Sequence, residues 1–256
     1  MISFIIPAYN EEVLLGKTLE TLGASARGAL GDQPYEIIVV DDASTDRTAE
    51  IARQAGARVV SVQKRQIAAV RNAGAKVAQG EVFIFVDADT LVPEATLRGA
   101  LKALRNGAVG GGSQVELGGP IPWMARISLD IFMLIWRPMQ LAAGCFIFAQ
   151  RADFEAVGGF DERFYASEEV WLSQALKNRG RFIIVPQPVT SSGRKARMHS
   201  IWKLVTISLA FMIKGPQSLQ KREGLELWYD GQRETAPPES ASADSRTARA
   251  ADKPAG

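Results

Sequence analysis

The sequence predicts an α/β fold with a mostly parallel central sheet and helices on both faces. Three observations predict it. Short apolar runs alternate with segments of helical periodicity from Ser3 to Asp89. The runs are apolar throughout, as strands buried on both faces are. Three of them end abruptly in polar clusters: Pro7 to Glu11, Asp41 with Asp42, and Asp87 with Asp89. In such sheets ligands bind beyond the carboxyl ends of the strands, so the clusters mark one functional edge.

In chain order, Ser3 to Pro7 is the first strand, stopped by Pro7. Asn10 is placed to cap a helix, with Glu11 and Glu12 in its first turn and Val13, Leu14, Leu19 and Leu22 on its apolar face. Gly28 to Pro34 reads as a loop and Ile37 to Val40 as the second strand. Ser44, Thr45 and Asp46 offer caps to a helix through Ala49, Ile51 and Ala52. Val59 to Val62 is the third strand, and Ile67 to Ala78 is a helix closed by Gly80. Val82 to Val86 is the fourth strand. In extended backbone Asp87 and Asp89 project to the same side at its end. Neighbouring carboxylates repel, and a divalent cation relieves this; oxygen ligands suit Mg2+ or Mn2+. A polar turn fits the same spacing, which alone leaves both readings open.

The second half is less regular. Pro93 to Asn106 reads as a helix with Pro93 at its start. Gly110 to Gly112 and Gly118 to Pro120 read as flexible backbone around a short strand, Ser113 to Leu117. Pro122 to Met139 reads as an apolar helix, Cys145 to Phe148 as a strand, and Ala152 to Val157 as a short helix stopped by Gly158 and Gly159. Ser167 is placed to cap a helix from Glu168 to Lys177, and Phe182 to Val185 is a strand ended by Pro186. Ile201 to Ile213 is apolar with basic residues at both flanks. It reads either as an interfacial helix on an anionic membrane, or as a helix packed on the domain or on a second copy in a homodimer. Thr235 to Gly256 carries no large apolar residue and reads as disordered.

Composition narrows the function classes. A net charge of +2, from 30 basic and 28 acidic residues, gives no reason to expect nucleic acid as a partner. The single cysteine, Cys145, allows no intrachain disulfide and fits a reducing compartment. The single histidine, His199, argues against Ser-His-Asp chemistry and His-rich metal sites. No Gly-x-Gly-x-x-Gly follows the first strand and no Gly-Lys-Ser/Thr loop occurs, so dinucleotide and P-loop sites are unsupported. Met1 to Phe4 lacks the basic start of a signal peptide, and no run reaches the ~18 apolar residues of a membrane span. The expected location is cytoplasmic, peripheral at the inner face of the cell membrane if residues 201–213 bind it.

Four motifs then occur in order: Ser3 to Glu12 (SFIIPAYNEE), Val40 to Asp46 (VDDASTD), Arg71 to Gly74 (RNAG), and Asp87-Ala88-Asp89. Together they resemble the family 2 glycosyltransferases with the GT-A fold. Gly158 to Asp161 (GGFD) with Glu168 and Glu169 extends the likeness to about residue 190. The resemblance implies a nucleotide-binding half at residues 1–90, an acceptor half at 91–230 and a tail at 231–256. It implies inverting, metal-dependent transfer of a sugar from a nucleotide-diphosphate donor to an acceptor hydroxyl, with Mn2+ or Mg2+ as cofactor. Gln-x-x-Arg-Trp, the mark of processive synthases, is absent, which implies single transfers.

The resemblance also implies roles. Pro7, Ala8, Tyr9 and Glu11 line the nucleotide, and Asp42 accepts a hydrogen bond from its base. Arg71 stands near the nucleotide and Asn72 orients the loop. Asp87, with Ala88 beside it, contacts the donor, and Asp89 holds the metal. Arg194, with Lys195, closes over the donor diphosphate or an acceptor phosphate. Glu168 and Glu169 take the place of an acid pair whose second member is the general base. Here that base is a glutamate, one methylene longer than the usual aspartate, and Trp171 stands where an acid is common. The acceptor is undetermined; a lipid-linked or cell-envelope glycan fits a membrane-bound helix. Two other functions compete. A sugar nucleotidyltransferase needs a Gly-rich basic loop after the first strand, and Pro7 to Glu12 is neither. A catalytically degenerate nucleotide-sugar-binding protein fits the departures at Glu169 and Trp171.

Overall fold

The computed structural model describes residues 1–119 and 139–193. Their elements are β1 (Ile2–Ala8), α1 (Leu15–Leu30), β2 (Tyr35–Asp41), α2 (Thr48–Gln54), β3 (Arg58–Ser61), α3 (Ile67–Val77), β4 (Val82–Val86), β5 (Thr90–Leu91), α4 (Glu94–Arg105), β6 (Ala108–Gly118), β7 (Phe146–Gln150), α5 (Arg151–Ala156), α6 (Glu168–Lys177) and β8 (Arg181–Ser192). All eight strands form one sheet in the order β3-β2-β1-β4-β7-β6-β8-β5. The pairs among β1, β2, β3 and β4 are parallel, as is β6 with β8, while β7 and β5 run against their neighbours. The mostly parallel sheet expected from the apolar runs is therefore present.

Alternate strand residues feed two cores. Phe4, Ile6, Val39, Ile84, Val86, Phe146 and Phe148 pack under α1 and α4, against Leu15, Leu19, Leu22, Leu97 and Leu101. Ile5, Ile38, Val40, Phe83, Phe85 and Ile147 face the other way, under α3, α5 and α6, against Val70, Phe154, Leu172 and Leu176. Each inner strand is thus apolar on both faces because each face is covered, the reason its sequence does not alternate.

Several local expectations need correction. Pro7 does not stop β1, which continues to Ala8; pairing with β4 ends at Ile5, so Pro7 stands where β2 is the only ladder partner. Asn10 does not cap α1, which begins at Leu15 after a turn in which Leu14 and Leu15 donate to the Glu11 carbonyl, and α1 continues through Gly28 to Leu30. Gly110 to Gly112 are not a flexible loop but the middle of β6. A Cβ on Gly111 would lie 1.9 Å from the Ile183 carbonyl oxygen of β8, so glycine there serves close approach of two backbones. Pro186 does not end β8, because it and Pro188 fall where the β6–β8 register slips, between the pairs Ser113–Val185 and Val115–Val189. The expected helix over 122–139 falls, apart from its last residue, outside the described residues, as do the 201–213 segment and the tail.

Candidate active site

Register brings the sequence-distant clusters together. Ala8 pairs with Asp41 at the ends of β1 and β2, and the Asp42 amide donates to the Ala8 carbonyl across 2.9 Å. The two following loops are stitched side by side. Asn10 N–H donates to Ser44 Oγ (3.0 Å), Thr45 N–H to Asn10 Oδ1 (2.8 Å) and Glu11 N–H to Thr48 Oγ1 (2.7 Å). Asn10, at φ 51°, therefore joins loops instead of capping a helix. Pro7, Ala8, Tyr9 and Glu11 occupy one edge, with Ala8 and Glu11 buried.

Asp42 is buried there, and its carboxylate accepts the Lys64 amide at 2.6 Å and the Arg65 amide at 2.8 Å. These two bonds shape the loop between β3 and α3. That loop sets the Arg65 guanidinium 3.7 Å from the centroid of the Tyr9 ring, a cation–π contact. Arg65 was not singled out by the sequence; its only signal was a position just before the helix that carries Arg71.

Asp87, Ala88 and Asp89 do not continue β4. The Thr90 amide donates to the Asp87 carbonyl at 3.0 Å, closing a reverse turn, and the two carboxylates take different partners. Asp87 accepts from Arg71 Nη2 at 2.8 Å, and Asp89 accepts from the Ser192 hydroxyl. This corrects the side-by-side arrangement expected from extended backbone. The turn is held from three sides: Asp87 N–H donates to the Cys145 carbonyl (3.2 Å), Thr18 Oγ1–H to the Ala88 carbonyl (2.9 Å), and Ser192 N–H to the Asp89 carbonyl (3.1 Å).

No group of three or more His, Cys, Asp or Glu that could hold a metal occurs among the described residues. Asp89 is partly accessible, and a carboxylate on a tightly fixed turn suits a hard cation whose remaining ligands are substrate phosphates and water. Asp89 would thus fit Mg2+ or Mn2+, which would supply Lewis-acid neutralisation of a diphosphate. Arg194 and His199 lie outside the described residues.

The acid pair reaches this edge from the far half of the chain. Gly158 and Gly159 take φ of 82° and 75°, conformations open to glycine, and turn the chain so that Phe160 enters the core. There Phe160 meets Phe85 edge-on at 4.9 Å and Phe154 at 5.7 Å. Asn72 grips the same residue by both backbone groups: its Nδ2 donates to the Phe160 carbonyl (2.8 Å) and its Oδ1 accepts the Phe160 amide (3.0 Å). The expected loop-orienting role of Asn72 has this physical form. Ser167, at φ 61°, makes no capping bond, and α6 opens directly with Glu168 and Glu169.

Arg71, expected near the nucleotide, is 2% exposed and lies buried behind the acid turn. Its Nη1 donates to Glu168 Oε1 (2.6 Å), and its Nη2 to Asp87 Oδ1 and the Gly144 carbonyl (2.8 Å each). Burial disfavours its charge, but Asp87 and Glu168 outweigh burial and hold its pKa above the usual arginine value. Glu168 is buried with it, whereas Glu169 keeps part of its surface accessible. Desolvation, reinforced by the Glu168 charge, pushes the Glu169 carboxyl up to about 8, against the pull of Arg71. Trp171, one helical turn beyond Glu168, stacks on Phe164 with centroids 4.8 Å apart.

Comparison with known proteins agrees with this geometry. The family model described as glycosyl transferase family 2 matches residues 3–157. A dolichol-phosphate mannosyltransferase of Pyrococcus furiosus is 33% identical over 126 residues, which are 47% of this chain and 35% of that protein. An undecaprenyl-phosphate 4-deoxy-4-formamido-L-arabinose transferase of Edwardsiella ictaluri is 40% identical over 100 residues, 36% of this chain and 30% of that one. The chain thus spans about a third of the length of these two relatives. Among solved structures, a mannosyltransferase from Pyrobaculum calidifontis in complex with GDP-Man and Mn2+ superposes with a TM-score of 0.63 at 23% identity, over 79% of this chain and 59% of that one. That likeness shows the GT-A fold. The matched family segment ends before Glu168 and Glu169.

Proposed function

The chain belongs to glycosyl transferase family 2, and from that premise we propose that it is an inverting, non-processive glycosyltransferase acting from a nucleotide-diphosphate sugar. The observation that carries this reading is Glu169. It is a partly accessible carboxyl with raised proton affinity, joined through Glu168 and Arg71 to the Asp87 turn. A general base works best with a pKa near the working pH, and about 8 is close.

The acceptor hydroxyl oxygen attacks the anomeric carbon and its proton passes to Glu169. The bond from that carbon to the diphosphate oxygen breaks on the opposite face, and the nucleoside diphosphate leaves. Pro7, Ala8, Tyr9 and Glu11 line the nucleotide, Arg65 completes that wall, and Asp87 with Ala88 meets the donor sugar or ribose. Asp89 holds Mg2+ or Mn2+, which supplies Lewis-acid neutralisation of the diphosphate when bound. Arg194 serves as a further diphosphate contact. Residues 1–90 act as the nucleotide half and 91–230 as the acceptor half. Two relatives are named for transfer with dolichol phosphate and undecaprenyl phosphate, which supports a lipid-linked or cell-envelope acceptor. A peripheral position at the inner membrane face through residues 201–213 follows from that acceptor. No described helix is long and apolar enough to cross a membrane.

The test is release of nucleoside diphosphate from UDP, GDP and dTDP sugars with and without Mn2+. Metal-dependent release that vanishes in Asp89→Ala is expected. Glu169→Gln is expected to keep donor binding and lose transfer. Donor binding without release from any of these sugars would favour the degenerate binding protein instead.

A further inference from the structure

One guanidinium connects three segments of the site. Arg71 on α3 reaches Asp87 in the turn after β4, the Gly144 carbonyl before β7, and Glu168 at the start of α6. Its Nε finds no acceptor among the described residues, so its side-chain hydrogen bonds there come from the two terminal nitrogens, with the guanidinium 5.2 Å from the Phe160 ring centroid. Its space is also defined: a Cβ on Gly144 would sit 3.3 Å from Arg71 Nη2 and 3.8 Å from the Glu169 carboxyl carbon.

We propose that Arg71 is a positioning residue that couples the donor turn to the base-bearing helix, so that Asp87 and Glu169 are set relative to each other through one shared cation and Glu168. The inference rests on the proposed transferase reading, in which Asp87 meets the donor and Glu169 takes the proton. Arginine suits the task because its planar fork addresses separate acceptors at once; a lysine ammonium is one point charge and cannot span them. The coupling has an electrostatic side. The charged groups facing Glu169 are Glu168 on its own helix, Arg71 from α3 and Asp87 from the turn after β4. Arg71 pairs with Glu168 at 2.6 Å, and the Glu168 charge helps raise the proton affinity of Glu169.

Arg71→Lys and Glu168→Gln test this, with nucleoside diphosphate binding used to count folded sites. Arg71→Lys keeps the buried charge, and its kcat per folded site is expected to fall about 10- to 100-fold, since displacements near 1 Å cost that much. Glu168→Gln keeps the shape and removes the like charge. The acid limb of its kcat–pH profile is expected to move down by roughly 1 pH unit. A kcat per site in Arg71→Lys equal to the parent overturns the proposal. An acid limb in Glu168→Gln that stays in place overturns it as well, even if Arg71→Lys does not fold. Glu169→Gln keeps the two readings apart: if it still transfers sugar, the base assignment fails, and the kcat of Arg71→Lys alone decides the coupling.

Discussion

Thr18 of α1 donates its hydroxyl to the carbonyl of Ala88 across 2.9 Å, at a position only 1% exposed. A helix on one side of the sheet thereby fixes the middle residue of the acid turn. Removing the hydroxyl leaves a buried carbonyl without its partner. Thr18→Val is expected to destabilise the fold by about 1–3 kcal/mol. It should also weaken Mn2+ binding measured by titration, while Thr18→Ser restores both. Unchanged Mn2+ affinity in the valine variant would show that the turn holds its shape without α1.

The Glu169 carboxyl gives a second prediction. Its pKa of about 8 lies above the ordinary 4.5, so the folded protein binds this proton more tightly than the unfolded chain does. The contribution of Glu169 to stability is full below about pH 4.5, declines as pH rises, and is lost above about 8. Transfer runs the other way, because the base must be deprotonated. The rate is expected to climb with pH toward about 8 and level off. Denaturant unfolding of Glu169→Gln should show less decline between those pH values than the parent.

Asn72 supports a third. It makes three hydrogen bonds to the loop before α6, two to the Phe160 backbone and one to the Glu162 carboxylate at 2.9 Å. Asn72→Asp keeps an acceptor for the Phe160 amide but loses both donated bonds and sets a carboxylate against a carbonyl. A loss of about 1–3 kcal/mol is expected. Hydrogen exchange should rise at Phe160 and through the first turn of α6; protection equal to the parent would count against the clamp.

The neighbouring Gly74 marks where α3 meets the sheet. A Cβ there would lie 2.4 Å from Ile5 Cγ2 and 2.8 Å from Val40 Cγ2, both fully buried. Gly74→Ala is expected to cost about 1–3 kcal/mol through overpacking, read from the denaturation midpoint.

The same contrasts explain what was readable in the chain. The strands were legible because burial on both faces leaves an unbroken apolar signature, and their polar ends fell on one edge as parallel pairing requires. Turn geometry was not: Asp87 and Asp89 look like an extended pair, and only the Thr90–Asp87 hydrogen bond separates them. Gly110 to Gly112 read as loop because composition cannot tell freedom from close approach. Arg71 read only as a basic residue near the nucleotide; its burial was not legible, because its three acceptors come from segments far apart in the chain. Thr18, Arg65 and Ser192 carried no motif; each matters through contacts that only the fold creates.

Cys145 is the sole thiol, buried beside the acid turn, and burial raises its pKa well above the normal range. Labelling by a thiol reagent is expected to be negligible in the native state and to follow global unfolding. Fast labelling of folded protein would mean that the segment before β7 opens on its own.

The contacts that close the site also dictate when it can exist. Asn72 meets Phe160 across 88 positions of chain, and Arg71 meets Glu168 across 97. Contacts of such span form late, since loop closure must be offset before they contribute. The β1–β2 ladder, where Ser3 meets Glu36 across 33 positions, can therefore form while the chain beyond β4 is still searching, whereas the acid turn, tied to Ser192 across 103 positions, waits for the far half as the Glu168 contact does. Pulse-labelled exchange during refolding should protect β1 and β2 before the first turn of α6. An enzyme assembled in this order gains its acid turn and its base only when the far half of the chain docks.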